Sequence, residues 1–264
     1  MRLLLYEWCC SGGIQSELAH DILQEVSIED FLREGRLMLE AFTSDAEQNT
    51  DLDITVMVDS TLPVTKAPQF SKNVTVEKIA PSKSQLSLLT MAAEADLIIL
   101  IAPETHGVLL QTINTVEQAG FGNKLINCPT PFIKAASDKE ITCRMLSAAG
   151  IPTPAGRTIA TGESFPHGFR LPAVLKARRS AGCDGLTIIH KPTDFSAPQT
   201  DSRLECHISG IPVSVCCLCG TDSIVPLLPF EQVFTEESHP VYIGGRVIHN
   251  DFHTRMHSLA VRSI

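Results

Sequence analysis

The sequence predicts an α/β protein in two parts, an N-terminal domain built on a parallel sheet and a following α+β domain. Three observations carry this. In the first half, short apolar runs alternate with segments of helical periodicity, the pattern of βαβ units. That pattern stops at Cys128, Pro129 and Pro131, which places the domains at residues 1–128 and 129–264. Beyond the prolines, an amphipathic helix gives way to β-rich sequence with glycine and proline turns.

The elements follow in order. Leu3, Leu4, Leu5 and Tyr6 read as a first strand, which runs into the turn Cys10-Ser11-Gly12-Gly13 at its carboxyl end, where open α/β sheets bind ligands. Residues 28–42 read as a helix with Phe31, Leu32, Met38, Leu39 and Phe42 near one face, and Glu29 and Asp30 where the helix dipole favours acids. Residues 54–58 and 74–79 are expected as strands. Residues 95–101 form the most apolar run, continuous enough to predict a strand buried on both faces. At its end Glu104 falls at a ligand-binding sheet edge, and Thr105 is placed to cap the helix of residues 108–119, which Gly120 closes. Residues 124–127 are expected as a last short strand.

Composition narrows the function. With 264 residues and 44% hydrophobic content the chain can bury a sizeable core. The 21 basic and 30 acidic residues give a net charge of −9, which argues against nucleic acid or an anionic membrane as partner and favours a small-molecule substrate. The N-terminal apolar run is broken at Glu7, too early for a signal-peptide core, and no window approaches the roughly 18 apolar residues of a membrane span. A cytoplasmic protein is expected. Its nine scattered cysteines lack a disulfide-framework spacing, so reduced thiols are expected.

The chemistry concentrates between Ser137 and Gly185. Ser137 and Glu140 have the Ser-x-x-Glu spacing of a capping box; Ile141, Arg144, Met145, Ala148 and Ala149 continue that helix, and Gly150 and Pro152 end it. Lys139 therefore stands in the first turn, where the dipole favours anions; an anion in contact with it is a reasonable inference, the alternative being a solvated surface lysine. The apolar strand Leu171-Pro172-Ala173-Val174-Leu175 ends in Lys176, whose ammonium, if inward-facing, needs a phosphate or a carboxylate. Small residues follow at once, Ser180-Ala181-Gly182-Cys183-Asp184-Gly185, and allow backbone N–H groups to approach phosphate oxygens. Lysine, loop and capped helix together suit a nucleotide triphosphate.

This constellation resembles the ATP-grasp superfamily, and within it the carboxylate–amine ligases of the tyramine–glutamate ligase type. Tyr6-Glu7-Trp8 before Ser11-Gly12-Gly13, the segment of residues 32–38, and Ile101-Ala102-Pro103-Glu104-Thr105 are similar to that group as well. The resemblance implies a pre-ATP-grasp domain followed by an ATP-grasp domain, with ATP and Mg²⁺ as cofactors and a small-molecule carboxylate and amine as substrates. It implies that Lys139 and Lys176 hold the phosphates, that Lys176 serves catalysis, and that Ala181, Gly182 and Gly185 close over them. It likens Glu205-Cys206-His207-Ile208 to the hinge strand that grips adenine, with Cys206 and His207 departing from the usual acidic and aromatic residues. Ser11, Gly12, Gly13 and Glu104 are the candidate substrate contacts.

The resemblance also implies an acidic strand with a Glu-x-Asn pattern carrying the metal ligands, and the chain ends at Ile264 without one. The expectation is an ATP-grasp domain lacking its metal-binding strands, with metal ligands unassigned; Glu231, Glu236, Glu237 and Asp251 match no motif. The alternative is a truncated, catalytically impaired ATP-binding protein. Two zinc-like patterns carry less. Cys216, Cys217 and Cys219 lie in apparent strand, where residues three apart face opposite sides, and are expected as small core thiols; His249, His253 and His257 are expected on an exposed helix face.

Overall fold

The computed structural model describes residues 1–16, 19–20, 27–180, 183, 185–220, 222–235, 238–248 and 253–264. They divide into two compact units, Met1–Lys134 and Ala135–Ile264.

In the first unit β1 (Arg2–Glu7) is flanked by β2 (Asp53–Asp59) and β4 (Leu97–Ile101), with β3 (Thr75–Ile79) beyond β2. Every pairing is parallel, in the order β3-β2-β1-β4. Leu3, Leu4, Leu5 and Tyr6 are all buried because β1 is interior to the sheet and covered on both faces. The apolar run expected to be buried twice over is instead the edge strand β4, where Ile98 and Leu100 are buried and Leu97, Ile99 and Ile101 only partly so. The strand expected at residues 124–127 shrinks to one bridge, Leu125 to Ile98. Asn127 completes that edge with its side chain: Oδ1 accepts from Leu100 N at 2.9 Å and Nδ2 donates to Leu100 O at 2.8 Å.

Among the described residues three helices pack on this sheet. In α1 (Ile28–Ala46) the Ser27 hydroxyl accepts from Asp30 N at 3.4 Å, and Leu32, Gly35, Leu39 and Thr43 are the buried positions. Met38 and Phe42, expected on the buried face, are exposed. The inward stripe runs through Gly35 because the sheet presents Glu7 there, and a Cβ on Gly35 would come within 2.6 Å of that carboxyl group. α2 (Ser84–Glu94), weakly amphipathic and not anticipated, buries Leu88 and Ala92. α3 (Val108–Gln118) buries Val108, Thr112, Ile113 and Val116.

The division between the units falls within α4 (Thr130–Ala136). The second unit opens with α5 (Lys139–Ala148), followed by an antiparallel sheet of β5 (Gly156–Ile159), β6 (Ala173–Ala177), β7 (Thr187–Ile189) and β8 (Ser202–Cys206) in the order β5-β8-β6-β7. Its small core joins Ile159, Ala173, Leu175, Ile189 and Leu204 to Phe165, Phe169 and Phe195. Next come β9 (Val213–Ser214), β10 (Cys217–Cys219), β11 (Ile224–Pro226), β12 (Phe230–Phe234) and β13 (Tyr242–Val247). They form a sheet in the order β13-β12-β9 and a β10-β11 pair, and α6 (His253–Arg262) follows. Among the described residues no helix is long and apolar enough to cross a membrane.

Candidate functional site

Three consecutive residues at the start of α5 each reach the sheet of the second unit or the segment directly after β6. Asp138, only 1% exposed, is the helix cap: its Oδ1 accepts from Glu140 N at 3.0 Å and Ile141 N at 3.3 Å. The cap therefore sits one residue beyond Ser137, where the capping-box pattern had placed it. A carboxylate can do more than a hydroxyl here, because it also accepts from Arg178, through Nε at 3.1 Å and a terminal nitrogen at 2.6 Å, and from Arg179 Nε at 3.4 Å. Burial pushes the Asp138 carboxyl up, but the hydrogen bonds and charge of Arg178 and the two helix N–H groups outweigh it, so it lies below the usual range.

Lys139 follows as the first helical residue, with its N–H donating to Arg178 O at 3.0 Å. Its ammonium donates to Ser180 O at 2.6 Å and Ser180 Oγ at 3.1 Å, at the entrance of the small-residue loop. Ala181, Gly182 and Asp184 lie outside the described residues, whereas Gly185 has φ 65°, a left-handed conformation suited to glycine. Glu140, the third of the set, pairs with Arg203 on β8.

Lys176, one residue from the end of β6, is partly buried, and its partner in this structure is the carboxylate of Glu205, the second of the two anions the sequence allowed. Glu205 is 6% exposed, and its other oxygen accepts from Arg203 Nε at 3.0 Å. One chain of charges, buried at Arg203 and Glu205, thus runs from Glu140 through these two to Lys176, joining the turn that carries Lys139 to the strand that carries Lys176. The sequence reading missed Asp138, Arg178 and Arg203. An Asp directly before a helix start and an Arg-x-Glu pair on one strand face, Arg203 and Glu205, are signals that point to them.

The proposed hinge is partly committed to the fold. Cys206 N donates to Ala155 O at 2.8 Å and His207 N donates to Pro172 O at 3.0 Å, while Ile208 is 67% exposed. Glu205 is held by its two cations, and His207 Nδ1 is buried without a hydrogen-bond partner.

In the first unit the turn after β1 is internally satisfied. Ser11 is buried, its hydroxyl donates to Met57 O at 3.0 Å, and its carbonyl accepts from Ser84 Oγ at 2.6 Å. Gly12 has φ 87°, and Gly13 lies so close under Trp8 that a Cβ would approach the indole to 2.3 Å. Glu104, by contrast, is exposed just beyond β4.

The metal-like patterns resolve differently from their expectations. All nine cysteines are free, but Cys216 and Cys219 are exposed and Cys217 is intermediate, so they are not core thiols. Cys217 and Cys219 lie on a strand of a two-stranded pair, too small to bury them, and Cys216 just precedes it. His253 and His257 stack, and each places Nε2 against a carbonyl, Ile248 O and Leu227 O respectively, which pins α6 to the loops before it; His249 lies outside the described residues. Glu231 is paired with Arg246, and Glu236, Glu237 and Asp251 lie outside the described residues. Among the described residues no group of three or more His, Cys, Asp or Glu side chains is disposed to hold a metal ion. The described side chains do not make a Mg²⁺ site.

What the arrangement offers is a cluster of cations at a helix start and a strand end, beside a loop of small residues. Two family models match the chain, the pre ATP-grasp 3 domain over residues 52–133 and the ATP-grasp domain over residues 136–264. The chain belongs to the ATP-grasp superfamily. Among solved structures, an ATP-grasp superfamily protein from Archaeoglobus fulgidus matches with a TM-score of 0.65 at 18% identity, over 100% of this chain and 71% of that one. The ADP complex of an N5-carboxyaminoimidazole ribonucleotide synthetase matches at 0.62 and 12% identity, over 99% of this chain and 62% of that one. An L-amino acid ligase from Bacillus licheniformis matches at 0.59 and 11% identity, over 99% of this chain and 59% of that one. The chain therefore spans about three-fifths of the length of the last two. Identities this low establish the shared fold alone. No curated protein sequence matches the chain.

Proposed function

We propose that the chain carries the nucleotide site of an ATP-dependent carboxylate–amine ligase of the tyramine–glutamate ligase type, acting in the cytoplasm on a small-molecule acid and amine. In such a ligase a carboxylate oxygen takes the γ-phosphoryl group of ATP, the bond to the β-phosphate oxygen breaks, and ADP leaves. The amine nitrogen then attacks the acyl carbon, phosphate departs, and the nitrogen loses its proton to give the amide. The work of this chain is to hold and neutralise the triphosphate. Lys139 and Lys176 bind its oxygens, Gly185 and the small residues before it close over them, and Cys206, His207 and Ile208 meet the base, Glu205 itself being taken by its two cations. In the first unit, Glu104 and the turn of Gly12 and Gly13 are the contacts offered to the substrate.

The observation that carries this reading is the linkage of the two lysines. The first turn of α5 and the end of β6 are tied by the Glu140, Arg203, Glu205 and Lys176 chain, so both ammonium groups are held on fixed elements. Titration of the chain with ATP tests it. Lys139→Ala and Lys176→Ala are each expected to weaken ATP binding about 10- to 100-fold, the worth of a charge-assisted hydrogen bond. Retention of full affinity by both variants sinks the proposal.

A further inference from the structure

The buried carboxylate of Glu205 serves two cations. Oε1 accepts from Lys176 Nζ and Oε2 from Arg203 Nε at 3.0 Å, and the side chains of Glu205, Arg203 and Lys176 are 8%, 4% and 23% exposed. Lys176 and Arg203 are direct cross-strand partners in the β6–β8 register. Like charges placed opposite each other repel, so Glu205 is the group that allows both to remain. The guanidinium is immobilised on every nitrogen: beyond Glu205 it donates to Glu140 Oε2 and, at 3.2 Å, to Pro154 O.

A single counter-ion would suffice for a permanently paired Glu205. Two are needed if one of them leaves. When Lys176 turns from Glu205 to a nucleotide phosphate, a carboxylate so deeply buried is stranded at high cost unless a second cation holds it. We propose that Arg203 is a positioning residue for the nucleotide site: the fixed counter-ion that lets Lys176 exchange Glu205 for phosphate. This rests on the ATP-binding reading above.

The charged surroundings of Glu205 are compatible with that role. β6 contributes Lys176, β8 contributes Arg203, His207 follows just beyond the end of β8, and α5 contributes Glu140 together with Cys143 near Arg203. On β5 the residue opposite Glu205 is Gly156, which brings no charge and packs so tightly that a Cβ would meet that of Glu205 at 2.8 Å, while the neighbouring Arg157 is paired with Glu163. Without Arg203, release of Lys176 would force Glu205 to take a proton from solvent.

The test is ATP binding by the unmodified chain and by Arg203→Lys, Arg203→Met and Arg203→Met/Glu205→Gln. It is measured calorimetrically in buffers of different ionisation enthalpy, between about pH 7 and 8.5, above the phosphate titration near 6. Arg203→Met is expected to bind at least about tenfold more weakly, to take up a proton on binding, and to gain affinity as pH falls. The double variant, which has no charge to strand, is expected to recover to within about threefold of the unmodified chain with no proton uptake, and Arg203→Lys to bind without uptake. Unchanged binding by Arg203→Met, or equal loss in the single and double variants without uptake, overturns the inference while leaving ATP binding intact. If Arg203→Met does not fold, Glu205→Gln alone decides: binding at least as tight as unmodified supports the exchange, and a loss beyond about tenfold overturns it. Absence of ATP binding by the unmodified chain overturns the nucleotide reading itself.

Discussion

Replacing Asp138 by alanine removes two things at once. The first is a helix cap, two hydrogen bonds to the Glu140 and Ile141 N–H groups, worth about 1 kcal/mol. The second is the partner of Arg178, whose forked contact closes at 2.6 and 3.1 Å. A hydrogen bond to a charged group contributes about 1.5 to 3 kcal/mol, and the lower figure applies because the Arg178 side chain is 24% exposed and keeps Asp201 at 3.9 Å. The expected loss for Asp138→Ala is therefore about 2.5 kcal/mol, and for Asp138→Asn, which keeps a capping oxygen, about 1.5 kcal/mol. Because the fold lowers the Asp138 pKa, its contribution is complete above the unfolded value near 3.9 and disappears as pH falls through the lower folded value. The difference between unmodified chain and variant is thus expected to narrow below about pH 4. Urea unfolding assays it. Trp8, the sole tryptophan, lies in the first unit, so indole fluorescence follows that unit while far-ultraviolet circular dichroism follows both. The loss belongs in the transition that fluorescence does not see. A loss below about 0.5 kcal/mol, or one that persists undiminished into acid, refutes the assignment of Asp138 as cap and counter-ion.

Three further outcomes are expected in the first unit. Gly35→Ala places a Cβ 2.6 Å from the Glu7 carboxyl and is expected to cost about 1 to 3 kcal/mol in the fluorescence-detected transition; a neutral effect contradicts the close approach. Burial raises the pKa of Glu7 against the hydrogen bonds it accepts from Cys10 N and Cys9 N. The fold therefore favours its protonated form, and stability is expected to fall as pH rises above the unfolded value near 4.3; Glu7→Gln removes that slope, as Tm against pH will show. Asn127→Ala leaves the N–H and C=O of Leu100 without the side-chain amide that pairs both, at an expected cost of about 1 to 3 kcal/mol in urea unfolding. Asn127→Ala with unaltered stability would show that water replaces the amide.

Much of the fold was legible in the sequence. The central strand, the helices beginning at Ile28, Val108 and Lys139, and the glycines at positions 120 and 150 follow from apolar periodicity and from the left-handed conformation that glycine tolerates. α2 was missed because Leu86 faces solvent and Leu88 the core, so its apolar residues do not mark one face. The burial of residues 95–101 was overread, since composition cannot distinguish an edge strand from an interior one; neighbours decide that. The cysteines failed for the same reason: Cys216 and Cys219 look like core thiols in sequence, but Cys216 precedes and Cys219 ends a strand of a two-stranded pair, and both are exposed.

By itself the sequence determined the local facts: which segment is helix or strand, that Lys139 opens a helix and Lys176 nearly ends a strand, and that small residues follow. These depend on near neighbours along the chain, where periodicity and capping act. Only the tertiary structure decided the partners. That Lys176 faces Glu205, that Arg203 stands behind Glu205 and reaches back to Glu140, and that Asp138 rather than Ser137 caps the helix all depend on strand register and on charges up to 63 residues apart. Buried charges must find opposite charges wherever the fold brings them, and sequence spacing does not record that requirement.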